Sequence, residues 1–262
     1  MAAQAERRRF LALIGALVVL SWAALAIWEQ SPYGRFLDHG RWTEIGLAAS
    51  ICRAIPAGDV VVPALIYAGG WLLMLTAMML PTTLPLLDIF GRITAGRRDR
   101  RLLISLVIAG YLAVWGLFGV LSHVVDMLLH ELARQSIWLS VNAWIVGAIV
   151  LAIAGLFQFS ALKYRCLDKC RTPLSFVIEH WRGSRERRQA WLLGVHHGVF
   201  CVGCCWAIML LMFVVGSGNV GWMLALGAVM AVEKNMPWGR RLTAPLGAAL
   251  LAAAIGVTAL EL

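Results

Sequence analysis

"AWLLGVHHGVFCVGCCWAIMLLMFVV" occupies residues 190–215, and its reading decides the fold. It holds 26 residues without a single Asp, Glu, Lys or Arg. At about 1.5 Å of rise per residue, a helix of that length outspans the roughly 30 Å hydrocarbon core of a bilayer. The stretch therefore predicts a transmembrane helix. Its two histidines, three cysteines and two methionines then need a reason to be there. A polar side chain inside a membrane is costly and is a functional candidate by default.

Working outward, the same apolar pattern recurs over residues 10–28, 61–80, 102–121, 137–159, 220–238 and 244–260. With 61% hydrophobic and only 14% charged residues, the chain departs from soluble domains, where charged residues are about a quarter. The expectation is an all-α, polytopic membrane helix bundle of about seven transmembrane helices. One transmembrane domain covers residues 10–262 behind an N-terminal arm, residues 1–9. Trp28, Trp138, Trp191 and Trp238 fall at expected span ends, where an interfacial belt belongs.

Basic residues set the orientation. Arg7, Arg8 and Arg9 precede the first span, five arginines between Arg92 and Arg101 follow the second, a Lys/Arg-rich segment over residues 161–189 follows the fourth, and Arg240 and Arg241 follow the sixth. The alternate loops hold only Arg35, Arg41, Arg53 and Arg134. Under the positive-inside rule this places the N-terminus, the arm and the 161–189 loop in the cytoplasm, and the loop over 29–60 in the periplasm. The net charge of +9 is thereby spent on topology rather than on a nucleic-acid groove, so no nucleic-acid partner is expected beside the membrane lipids. "RRRFLALIG" loosely resembles a twin-arginine export signal, but with six spans to follow it reads as an uncleaved first helix.

Residues three and four apart share a helix face, so His197, Cys201, Cys204 and Cys205 form one stripe near the expected midplane. Thiolate, thioether and imidazole together suit Cu(I), and thiolates also suit Zn(II). Neighbouring spans add Met74, Met78, Met79 and Glu233, and Gly194, Gly198 and Gly203 would let another helix approach. "LKYRCLDKCR" adds Cys166 and Cys170 four apart at the inner end of the fourth span, among cations that favour thiolate. These two thiols read as a separate intake site, too far from the midplane stripe for direct exchange. Lys234 reads as a snorkelling side chain, and Pro81 and Pro85 as the end of the second span. Cys52 is isolated, and no Walker A sequence accompanies the metal-seeking residues.

Two other readings of the thiols stay open. "CVGC" is literally C-x-x-C, which would make Cys201 and Cys204 a membrane thiol–disulfide oxidoreductase pair. The thiols could equally pack as small hydrophobes in a structural or assembly subunit of a membrane complex.

Four motifs, "AMMLP" (residues 77–81), "LKYRCLDKCRTPLSF" (162–176), "GVFCVGCCWAIMLLMF" (198–213) and "EK" (Glu233, Lys234), resemble a family of metal-binding integral membrane proteins of bacteria, the domain of unknown function DUF2182. The resemblance runs from about Trp71 to Trp238. It implies a bacterial inner-membrane copper chaperone, not an enzyme, supplying exported or membrane copper enzymes. It carries over to Met78, Met79, Cys166, Cys170, Cys201, Cys204, Cys205 and Glu233. The family has Tyr-Gln and Pro where this chain has Phe157, Gln158 and Ala161, so no aromatic hydroxyl acts at position 157.

Overall fold

A computed structural model describes residues 2–30, 61–142, 144–183, 185–215 and 219–261, and every regular element among them is helical. The loop expected over 29–60 lies, from residue 31 on, outside the described residues, as does Cys52. The arm expected over 1–9 is, from Ala2, part of the first helix, α1 (Ala2–Glu29).

Two expected spans are broken helices. The second runs as α2 (Val61–Met78) and then α3 (Leu80–Ile93), bent by 64°. Pro81 causes the break: it has no N–H to donate, and it sits in the first turn of α3, where that donor is not needed. Pro81 and Pro85 thus do not end the helical course, as expected from sequence, but redirect it. Met79 closes α2 by donating its N–H to Leu75 O (2.8 Å), and its own carbonyl accepts from Thr82 N (3.1 Å).

α4 (Arg100–Gln135) continues well past the expected end at residue 121. The next expected span divides into α5 (Ile137–Val141) and α6 (Trp144–Phe157). After a 64° bend comes α7 (Ala161–Arg171), capped by Ser160, whose hydroxyl accepts from Lys163 N at 3.1 Å. α8 (Pro173–His180) is a short helix that follows directly. The segment 161–189 is therefore largely helical rather than a loop. α7 folds because Lys163, Cys166, Leu167 and Cys170 make one buried face at helical spacing.

α9 (Glu186–Val215), α10 (Val220–Asn235), a 3₁₀ turn (Gly239–Leu242) and α11 (Thr243–Glu261) complete the chain. Among the described residues, four helices are long and apolar enough to cross a membrane, or up to six if each bent pair is one span. α10, expected as the sixth span, has 16 residues and falls short of that length. The large apolar side chains of α1 and α4, such as Leu13, Leu117 and Leu128, are exposed, as a lipid-facing surface requires.

α9 lies at the centre, packed most extensively on α4. The contact is backbone to backbone. A Cβ on Gly194 would stand 2.0 Å from Val107 O, and one on Gly110 would stand 2.4 Å from Trp191 O. Small residues are how membrane helices approach closely enough for dispersion and polar contacts to hold them. Gly194→Ala should therefore lower the melting temperature of the detergent-solubilised protein, at a cost of about 1–3 kcal/mol. Gly96→Ala, with no atom within 4 Å, should leave it unchanged. On the polar rim, Arg97 hydrogen-bonds Asp99 (3.0 Å) and pairs with Glu186, tying the α3–α4 connection to the start of α9. That guanidinium holds the Asp99 carboxyl below the usual carboxylate range.

Candidate metal centre

α7 and α9 bring two sets of cysteines into one cluster. Cys201, Cys204 and Cys205 are fully buried on α9, and Cys170 on α7 is nearly so. The Cys170 and Cys204 sulfurs are 3.9 Å apart, and those of Cys204 and Cys205 are 3.4 Å apart. The Cys204 thiol also donates to Cys201 O at 3.2 Å. The expectation of two remote sites is corrected here. The bend before α7 folds that helix back along α9, so Cys170 touches the stripe it was expected to feed.

Cys166, one turn earlier on α7, faces Gly203 of α9, where a Cβ would stand 2.7 Å from its sulfur. Glycine at 203 is what lets the cysteine-bearing face of α7 reach α9. Of the other expected site residues, Met74, Met78 and Met79 are buried in the same core as the thiols, along with Met209, Met223 and Met230. His197 is 4% exposed, stacks on Tyr111 with ring centroids 5.8 Å apart, and has an Nδ1 without a hydrogen-bond partner. Glu233 is fully buried, and both its carboxylate oxygens are engaged. Lys163 Nζ donates to Oε2 (2.7 Å) and Thr243 Oγ1 donates to Oε1 (3.2 Å).

Sequence reasoning missed three groups. Lys234 is buried rather than snorkelling: its ammonium donates to Cys201 Sγ (2.9 Å) and to Thr82 Oγ1 (3.4 Å). Tyr111 of α4 places its hydroxyl 3.1 Å from the same sulfur and 3.5 Å from Met79 O at the α2–α3 break. Lys163, counted with the basic loop, is fully buried against Glu233. The available signals were a Tyr inside an apolar span and the helical phase that Lys163 shares with Cys166 and Cys170.

The donor set suits a soft metal ion. With metal–sulfur bonds of about 2.3 Å, tetrahedral geometry separates sulfurs by roughly 3.8 Å, and the observed 3.4 and 3.9 Å bracket that value. The Lys234 ammonium supplies the counter-charge that a buried thiolate needs. Among the described residues, no group of three or more His, Cys, Asp or Glu side chains is placed to hold a metal ion as it stands. Gripping an ion therefore requires side-chain rotation within the cluster.

A family model described as a copper chaperone, PpoB2, matches residues 68–257. No curated protein matches the chain, and neither does any solved structure. The matched region holds the five buried thiols among the described residues, Tyr111, Lys163, His197, Glu233 and Lys234, and it covers well over half of the sequence. The chain belongs to this copper-chaperone family.

Proposed function

We propose that this protein is a multi-pass carrier of the bacterial inner membrane. It holds Cu(I) on Cys170, Cys201, Cys204 and Cys205 and passes it to exported or membrane copper enzymes. The observation that carries the reading is the meeting of thiols from α7 and α9 in one buried cluster, with the Lys234 ammonium on the adjoining Cys201 sulfur. Cys166 sits one turn away as a further soft ligand for exchange, and Met74, Met78 and Met79 serve as weaker ones. Such graded donors let an ion move by ligand replacement without being released. Zn(II) would suit the same thiolates and is the competing cargo. Glu233 acts through Lys163, holding α7 against α10 rather than binding the ion.

The contact partners favour the carrier over a C-x-x-C redox pair. The sulfur nearest Cys204 on another helix belongs to Cys170, while the Cys204 thiol meets the backbone oxygen of Cys201. The decisive cell experiment uses a periplasmic copper oxidase as reporter. Loss of this protein should lower oxidase loading both at limiting copper and in excess copper. Oxidase loading that is the same with and without the protein would sink the reading.

Lys234→Met should weaken Cu(I) binding about 10–100-fold, the range that supporting groups around metal sites carry. Thr82→Ala, which removes only the second partner of the ammonium, should have a smaller effect. Competition with a Cu(I) chelator measures both. The topology belonging to this reading is seven spans with the N-terminus inside. A reporter enzyme fused after Leu262 should be active in the periplasm, and cytoplasmic activity would contradict the count.

A further inference from the structure

Ring contacts link three imidazoles between the α8–α9 surface and the thiol cluster. His180 ends α8, and His196 and His197 lie on α9. The rings of His180 and His196 are edge to face, with centroids 4.9 Å apart. His180 Nδ1 is 2.9 Å from Phe176 O. A carbonyl only accepts, so Nδ1 carries the proton and Nε2 keeps its lone pair. That is the arrangement by which a backbone carbonyl prepares a histidine for a metal ion.

The row continues inward. Phe176 stacks on His180 (4.4 Å) and meets His197 edge to face (5.5 Å). His197 stacks on Tyr111, whose hydroxyl touches Cys201. The buried Nδ1 of His197 has no partner, which is costly unless something else satisfies it. A small, mostly apolar cavity touches His197, lined by Leu80, Leu86, Leu87 and Val107 with Thr83 and Tyr111. His196 is exposed more than two turns into α9, within the apolar stretch, where a polar side chain is a functional candidate.

We propose that His180 and His196 form an imidazole station that takes up Cu(I) at this surface and passes it by way of His197 to the thiols. The inference rests on the copper reading above and adds a loading site to it. Two imidazole nitrogens suffice for Cu(I), and they hold it less firmly than thiolates do. In the transfer each nitrogen–copper bond that breaks is replaced by a sulfur–copper bond. The copper stays Cu(I), and the nitrogen it leaves takes up the thiol proton, so no oxidant is needed.

Two measurements on the full chain in detergent test the station. The first is the rate of loading from a Cu(I)–chelator complex, followed by the absorption of the copper–thiolate bond. His180→Ala with His196→Ala should slow it by about tenfold or more, the scale on which supporting groups act. A rate within about twofold of the unaltered chain would overturn the proposal. The second isolates the station by changing Cys166, Cys170, Cys201, Cys204 and Cys205 to Ser. This chain should bind Cu(I) with only light-atom scatterers in X-ray absorption, and the two added His→Ala changes should abolish that binding. Binding unaffected by the His changes would also overturn the proposal. Failure of the copper reading itself would read differently: the unaltered chain would form no copper–sulfur bonds.

Discussion

Changing Cys201, Cys204 and Cys205 together to Ser should abolish thiolate-grade Cu(I) affinity in a chelator competition, leaving only the weaker imidazole binding, and Cys170→Ser alone should weaken it by more than about 100-fold. The first result follows from three buried thiols on one helix. The second follows from the 3.9 Å contact between Cys170 and Cys204, which makes Cys170 part of the cluster rather than a remote intake. The loss exceeds the roughly 10–100-fold that outer partners of a metal site carry, because a sulfur that touches the ion is removed. The cell phenotype should follow. A remote intake variant would recover when copper is abundant, whereas Cys170→Ser should not. Full recovery of Cys170→Ser in excess copper would return Cys170 to a separate site.

Glu233→Gln should destabilise the folded protein by about 3–5 kcal/mol, read as a lower midpoint in chemical denaturation. The substitution leaves the Lys163 ammonium, 0% exposed, without its carboxylate partner, and an unpaired charge at that depth is expensive. Lys163→Met should cost a similar amount for the mirrored reason. The double change Lys163→Met with Glu233→Leu should recover most of the loss, because it removes both charges from a low-dielectric interior. If either single variant melts like the unaltered protein, the pair does not hold α7 to α10. Since α7 carries Cys166 and Cys170, the single variants should also reduce Cu(I) affinity, which separates this pair from an ordinary surface bridge.

The helical class and most residues of the buried thiol cluster were legible in the sequence, because both depend on short-range pattern. An uncharged run of 26 residues and a His–Cys stripe at helical spacing need no knowledge of neighbours. The helix breaks were less legible. Pro81 marks a discontinuity, but whether the chain turns away or bends by 64° depends on what α3 packs against. The joining of the two cysteine groups was not legible, since it requires α7 to fold back along α9 over a glycine at 203. Lys163 and Lys234 were misread for a physical reason. A basic residue near a span end usually reaches for water, and only tertiary contacts reveal Glu233 and Cys201 as partners close enough to keep these two inside.

X-ray absorption at the copper edge of the purified, Cu(I)-loaded chain tests the shared thiol centre. Coordination should be dominated by sulfur, with the sulfur count falling in Cys170→Ser as it does in Cys204→Ser. Light-atom coordination in the unaltered chain, or a sulfur count that Cys170→Ser leaves untouched, would contradict a shared thiol centre between α7 and α9.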